Sequence, residues 1–277
     1  MIRVVHAPTC FEQLWEFLDA GVTVMAGGTD LLVRRTAAVP EAVVLLEGIP
    51  ALREIREDDG LLRLGAGATH AALARHPLVR DRLPILATAL SALGSPAIRN
   101  MGTLGGNIAT ASPAGDTLPP LLALNARVEL ASRGGIRSLP LAEFLLGPGR
   151  TALAPGEIIT AVCLAPPAAG VLQHFEKVGR RNALAIAVVS LAALIDRDAD
   201  GGVTAARLAC GSVAPTVCCA PKAAAALIGH PLDRETLGRA GKILRQEIAP
   251  IDDVRASAAY RRQVADNLLL RLAIDAA

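Results

Sequence analysis

The chain has 277 residues, of which 52% are hydrophobic and 19% charged, and its formal net charge is +2. That is enough apolar material for one large domain or two to three modest ones, and it argues against disorder. The near-balanced charge leaves no basic field of the kind that nucleic-acid binding needs, and with aromatics at only 2% a flat ligand ring has to be gripped by aliphatic side chains and backbone.

Residues 1–8 lack the apolar core of a signal peptide. The longest apolar run, near 183–195, contains Ser190, lies between Arg181 and Asp196, and is too short to cross a bilayer. A cytoplasmic location is the expectation. Thr9-Cys10-Phe11-Glu12 fits a capping box, Phe11, Leu14, Trp15 and Leu18 recur at helical spacing, and Gly21 stands where that helix should stop. A short strand over 22–25, ending at Met25, feeds a first glycine motif, Ala26-Gly27-Gly28-Thr29-Asp30. Asp30, Leu31 and the residues through Arg35 are expected to open a second helix, so that the motif shares a helix N-terminus, where the dipole favours an anion.

Further along, Leu61–Gly65 reads as a strand and 78–93 as one long helix. Residues 94–100 then lead into a second glycine motif, Thr103-Leu104-Gly105-Gly106-Asn107. Strands are expected at 128–131 and Ile158–Leu164, a linker at 165–170, and a hairpin of 183–196 and 203–213 around the turn signal 198–202. Helices at Arg234–Glu247 and 257–273 close the chain.

The two glycine motifs carry the chemistry. Adjacent glycines let the backbone take positive φ and aim several N–H groups at one point, a nest suited to a phosphate oxygen. Two nests from distant parts of the chain suit two linked phosphates, as in a dinucleotide; two tight turns are the plainer alternative. Neither motif holds a Lys or Arg, so amides and small polar side chains have to solvate the anion. Gly65-Ala66-Gly67-Ala68-Thr69-His70 lacks the third glycine of the dinucleotide fingerprint, and no GxxxxGK[ST] string occurs. Cys10, Cys163, Cys210, Cys218 and Cys219 form no CxxC pair, which argues against a disulfide framework, a zinc site or an iron–sulfur cluster. The histidines His6, His70, His76, His174 and His230 show no close metal-ligand spacing, and solvated or capping roles are expected for each. No catalytic residue and no metal ligand is assigned.

Several stretches resemble the FAD-binding subunit of the molybdenum hydroxylases, a family that includes xanthine dehydrogenase and carbon monoxide dehydrogenase. They are Ala26-Gly27-Gly28-Thr29-Asp30-Leu31-Leu32, the run from Ile98 through Thr103-Leu104-Gly105-Gly106-Asn107-Ile108, Ala111-Ser112-Pro113-Ala114-Gly115-Asp116, and the run from Pro250-Ile251-Asp252-Asp253-Val254-Arg255 to Arg262. The resemblance implies an α+β fold of the p-cresol methylhydroxylase FAD-binding type, followed by a small C-terminal α+β domain. It places an FAD-binding domain at 1–165, in two parts of about 1–55 and 56–165, and the C-terminal domain at 171–277. It implies that the glycine motifs hold the pyrophosphate of non-covalent FAD, and that Met25 and Leu31 flank the first of them. It also implies that Asp116 binds the cofactor, where a helix cap before Leu118 is the residue-level alternative. Ile159 and Lys177 match positions at the adenine end, and Leu93 stands where some relatives put an aromatic against the flavin. Arg99 is left as a charge near the flavin or a loop salt-bridge partner.

By the same resemblance the chain is the electron-transfer subunit of a heterotrimer. The molybdenum cofactor sits in a large partner subunit and two [2Fe–2S] clusters in a small one, and electrons leave to NAD or another acceptor. The alternatives are a self-sufficient flavin-dependent oxidase or reductase on the same fold, and a non-catalytic assembly subunit.

Overall fold

The computed structural model describes residues 2–33, 40–181 and 184–275. Its first layer is a parallel sheet of β1 (Val4–His6), β2 (Thr23–Met25) and β3 (Ala42–Leu45), with β3 in the middle. Helix α1 (Phe11–Asp19) covers it through Leu14 and Leu18, both buried, and Phe11 stacks on Trp15 at 5.6 Å. The expected capping box is displaced by one residue. Cys10 occupies the N-cap, so the residue that reaches back is Gln13, whose side-chain oxygen accepts the Thr9 amide at 2.9 Å. Gly21, at φ +72°, ends the helix as expected.

The second layer grows from the hairpin of β4 (Ile55–Asp58) and β5 (Leu61–Gly65), turned by Asp59 and Gly60, both at positive φ. A run of short helices follows: α2 (His70–Arg75), α3 (Pro77–Arg82), α4 (Pro84–Ala92), α5 (Pro96–Met101), α6 (Leu104–Thr110) and α7 (Leu118–Ala123). The single helix expected over 78–93 is broken. Pro84 brings no N–H, and Leu83 before it leaves the helical region at φ −131° and ψ 53°. Then come β6 (Arg127–Ser132), β7 (Gly135–Pro140), α8 (Leu141–Phe144), the small ribbon of β8 (Leu145–Gly147) and β9 (Arg150–Thr151), and β10 (Ile158–Leu164). The resulting antiparallel sheet runs β4-β5-β10-β6-β7. Its central strand β10 is buried at every residue except Cys163, and the helices pack over it in one apolar core that includes Leu62, Leu86, Leu104 and Phe144.

The third layer is the antiparallel sheet of β11 (Leu172–Gly179), β12 (Ala187–Arg197), β13 (Val203–Gly211) and β14 (Cys218–Cys219). The hairpin β12–β13 is the expected one, closed by Asp198, whose carboxylate accepts the amides of Asp200 and Gly202. Ala183, where that strand was placed to begin, lies outside the described residues. After α9 (Pro221–Ala225), helices α10 (Arg234–Glu247) and α11 (Ala258–Leu270) pack on one another, α11 also lies on β12, and α12 (Leu272–Asp275) ends the described chain. Helices α4 and α7 of the second layer reach this sheet at β11 and at β12 and β13. The fold is α+β, as the sequence predicts. Among the described residues no helix is long and apolar enough to cross a membrane.

Arg261 of α11 fastens the third layer. It is 3% exposed and donates to the carbonyls of Val188 and Ser212, at 3.0 and 2.9 Å, and to Asp253 Oδ1 at 2.6 Å. Replacing it with Leu takes a buried donor from two carbonyls and from Asp253, whose carboxylate keeps the amides of Arg255 and Ala256 and the Arg255 guanidinium. Arg261→Leu is expected to lower the unfolding free energy by about 3 kcal/mol, read as a lower urea midpoint at unchanged slope.

Candidate functional site

A cavity of about 1150 Å³ opens where the three layers meet, and both glycine motifs line it. Every site residue named from the sequence lines this cavity except Lys177, which reaches it through Asp116. The first motif leaves β2 after Met25, whose carbonyl accepts the Leu46 amide at 3.2 Å. Gly28 takes φ +68°, a conformation that suits glycine. Among the described residues the amides of Gly27, Gly28 and Thr29 donate to no protein acceptor. Of the helix expected from Asp30, the described residues through Val33 show turns, with Leu32 bonded to the Gly28 carbonyl and Val33 to that of Asp30. Arg34 and Arg35 lie outside the described residues.

The second motif is not a nest. Thr103 is the N-cap of α6 and its hydroxyl accepts the Gly106 amide at 3.2 Å. The amides of Leu104 and Gly105 are spent on the carbonyls of Ala68 and Ala66, at 3.1 and 2.8 Å. The glycines serve close approach instead. A Cβ on Gly105 would stand 2.7 Å from that of Ala66, and one on Gly106 would meet only the Thr103 hydroxyl. Asn107 accepts from the Thr117 hydroxyl at 2.6 Å. The first motif lies against the residues that flank the second. A Cβ on Gly27 would lie 1.8 Å from the Met101 carbonyl oxygen, and the Thr110 hydroxyl of α6 lies 3.0 Å from the Asp30 carboxylate.

Asp116 is not a helix cap: Thr117 holds the N-cap position of α7. The Asp116 carboxylate is buried and its Oδ2 accepts from Lys177 Nζ at 2.6 Å, while Oδ1 is buried with no partner. Burial pushes this carboxyl up from the ordinary range, and the Lys177 charge pulls it part of the way back. Lys177, on β11, also donates to the Ala92 carbonyl at 3.1 Å. Ile159 on β10 and Leu93 at the end of α4 are buried apolar walls. Among the described residues Arg99 has no salt-bridge partner; its Nη1 donates to the carbonyls of Leu93 and Gly94, at 2.8 and 3.3 Å, and so sets the turn at Leu93. No Phe, Tyr or Trp is among the described lining residues.

Sequence reasoning missed two groups of lining residues. From the second layer come Ala66 and His70, both in a string set aside as an incomplete fingerprint. His70, expected to be solvated or capping, is 3% exposed. From the third layer come Leu184, Ile186, Ser212, Ile251, Asp253 and Arg255. The run 250–262 signalled the last of these, but gave them no place.

Comparison with known proteins agrees with this geometry. Residues 1–167 match the FAD binding domain in molybdopterin dehydrogenase, and residues 173–276 match the CO dehydrogenase flavoprotein C-terminal domain. The chain is 31% identical over 278 residues to the nicotinate dehydrogenase FAD-subunit of Eubacterium barkeri, covering 97% of this chain and 94% of that one. It is 31% identical over 256 residues to the xanthine dehydrogenase FAD-binding subunit of Escherichia coli O157:H7, covering 91% and 87%. Among solved structures it superposes on a chain of the carbon monoxide dehydrogenase from Hydrogenophaga pseudoflava that lacks the Mo-pyranopterin moiety. The TM-score is 0.93 at 31% identity, covering 100% of this chain and 97% of that one.

The glycines separate by role. Gly27→Ala forces a methyl against a backbone carbonyl and is expected to cost about 2 kcal/mol or more, seen as a thermal midpoint several degrees lower. Gly106→Ala gains helix propensity but sets its methyl 2.9 Å from the capping hydroxyl of Thr103, which has to shift, and it is expected to lower the midpoint by no more than the roughly 2–4 °C that about 1 kcal/mol, the usual worth of an N-cap, produces in a chain of this size.

Proposed function

The chain belongs to the family of FAD-binding subunits of the molybdopterin dehydrogenases, and on that premise we propose that this cavity holds FAD through the residues assigned from the sequence. The three free amides of Gly27, Gly28 and Thr29 carry the reading, because a run of unspent N–H groups at a side-chain-free turn is a diphosphate ligand set. Gly105 and Gly106 keep the facing wall bare. Thr103 caps the helix that forms this wall, while Asn107 and Asp30 fix its ends. Met25, Ala26 and Leu31 shape the first wall. Asp116, with its unpartnered buried oxygen, hydrogen-bonds a polar edge of the cofactor, and Lys177 keeps that carboxylate charged. Leu93 and Ile159 exclude water from the ring system with aliphatic surface in place of aromatic stacking.

Neither glycine motif offers a histidine or a cysteine to which the flavin could be linked, so attachment is non-covalent. When bound, FAD exchanges electrons between one-electron carriers and a two-electron acceptor. The protein's part is position and electrostatics. Residues 1–165 and 171–277 form the FAD-binding and C-terminal domains. The chain works in the cytoplasm as the flavin subunit beside a molybdenum-cofactor large subunit and a [2Fe–2S] small subunit, and electrons leave to NAD or another acceptor.

Acid precipitation is expected to leave yellow FAD in the supernatant; colour that stays in the pellet contradicts the non-covalent reading. Division of labour is tested by anaerobic flavin bleaching. The isolated, FAD-loaded chain is expected to bleach with dithionite but not with purines, aldehydes or N-heterocycles, and substrate bleaching is expected only after the two partner subunits are added. Rapid bleaching of the metal-free chain by an organic substrate would instead identify a self-sufficient flavoenzyme.

A further inference from the structure

His70 stands apart from the other lining residues. It is the first residue of α2, and its amide donates to the Gly102 carbonyl at 2.9 Å. Thr69 and Thr103 form an isolated antiparallel bridge beside it, so the ring is locked at the seam from which the second glycine motif starts. Gly102 makes room for that ring, since a Cβ there would lie 3.0 Å from His70 Cδ2. The side chain is 3% exposed and lines the cavity. Nδ1 is buried without a partner, and no protein group among the described residues hydrogen-bonds either ring nitrogen. Arg99, whose charge acts on the ring, gives its hydrogen bonds to the carbonyls of Leu93 and Gly94, not to the imidazole.

Burial, and then the Arg99 charge, bring the His70 pKa down to about 4. At neutral pH the ring therefore carries one N–H donor and one bare nitrogen acceptor. Buried polar groups are hydrogen-bonded in folded proteins, and an exception calls for a partner the protein does not supply. A leucine would fill this place without leaving such a need.

We infer that His70 is a cofactor-binding residue whose imidazole hydrogen-bonds a polar atom of the bound FAD. The inference rests on the proposal that FAD occupies the cavity. It makes the histidine costly to the empty chain and useful to the loaded one, so the two states respond to substitution in opposite senses.

The experiment uses the full chain stripped of flavin, as wild type, His70→Leu and His70→Gln. FAD is titrated by quenching of flavin fluorescence, and thermal midpoints are taken without FAD. His70→Leu is expected to bind FAD about tenfold more weakly while its flavin-free midpoint holds or rises, and His70→Gln to recover part of the affinity. Two results overturn the inference: His70→Leu binding FAD as tightly as wild type, or a flavin-free midpoint that falls together with affinity or a chain that does not fold, both of which mark a core histidine. Wild type that takes up no FAD overturns the cofactor proposal itself, and this inference with it.

Discussion

The contact between the Gly27 α-carbon and the Met101 carbonyl sets the rest of the site. A methyl group at Gly27 would stand 1.8 Å from that oxygen, so the first layer can meet the second only where no side chain intervenes. The contact brings the unspent amides of Gly27–Thr29 to the start of α6, where Gly105 lies against Ala66 for the same reason. Each glycine thus has a separate task. Gly28 supplies a left-handed backbone, Gly27 and Gly105 supply proximity, and Gly106 leaves a bare surface facing the cavity.

A second constraint joins the third layer to the second. Asp116 precedes α7, and Lys177 lies on β11; their ion pair is buried at 9% side-chain exposure on each side. A buried pair is a weak source of net stability, but losing one member is expensive. Its geometry therefore fixes how β11 stands against α4 and α7. It also leaves one carboxylate oxygen unpaired. Arg261 works in the same way further along, tying Asp253 to the ends of β12 and β13. The cavity is lined from all three layers, and neither the glycine motifs nor the C-terminal sheet would enclose it alone.

The strands and the two glycine stretches that line the cavity were legible because their signals are local. Leu61–Gly65 and Ile158–Leu164 announce themselves as apolar runs, and the hairpin announces itself through its Asp-Gly turn signal. The helix over 78–93 was misread because hydrophobic periodicity runs on through Pro84, while the backbone cannot. The second glycine motif was misread because a glycine pair signals conformational freedom or close approach with the same letters. Which of these holds depends on Ala66 and Ala68, whose carbonyls take the amides of Gly105 and Leu104 from a distant part of the chain. Asp116 was placed at the site only through family resemblance; its ion pair with Lys177 spans 61 residues. His70 was hidden, since nothing local shows that a single histidine is buried.

The account turns on the free amides at Gly27–Thr29 meeting a diphosphate. The most direct measurement is a titration of flavin-free chain with FAD, FMN and riboflavin under identical conditions, followed by flavin fluorescence. The account predicts saturable uptake of one FAD per chain, with FMN and riboflavin, which lack the diphosphate, bound at least about 100-fold more weakly, a difference of about 2.8 kcal/mol. Equal binding of FAD and FMN, or no uptake of FAD, would contradict it.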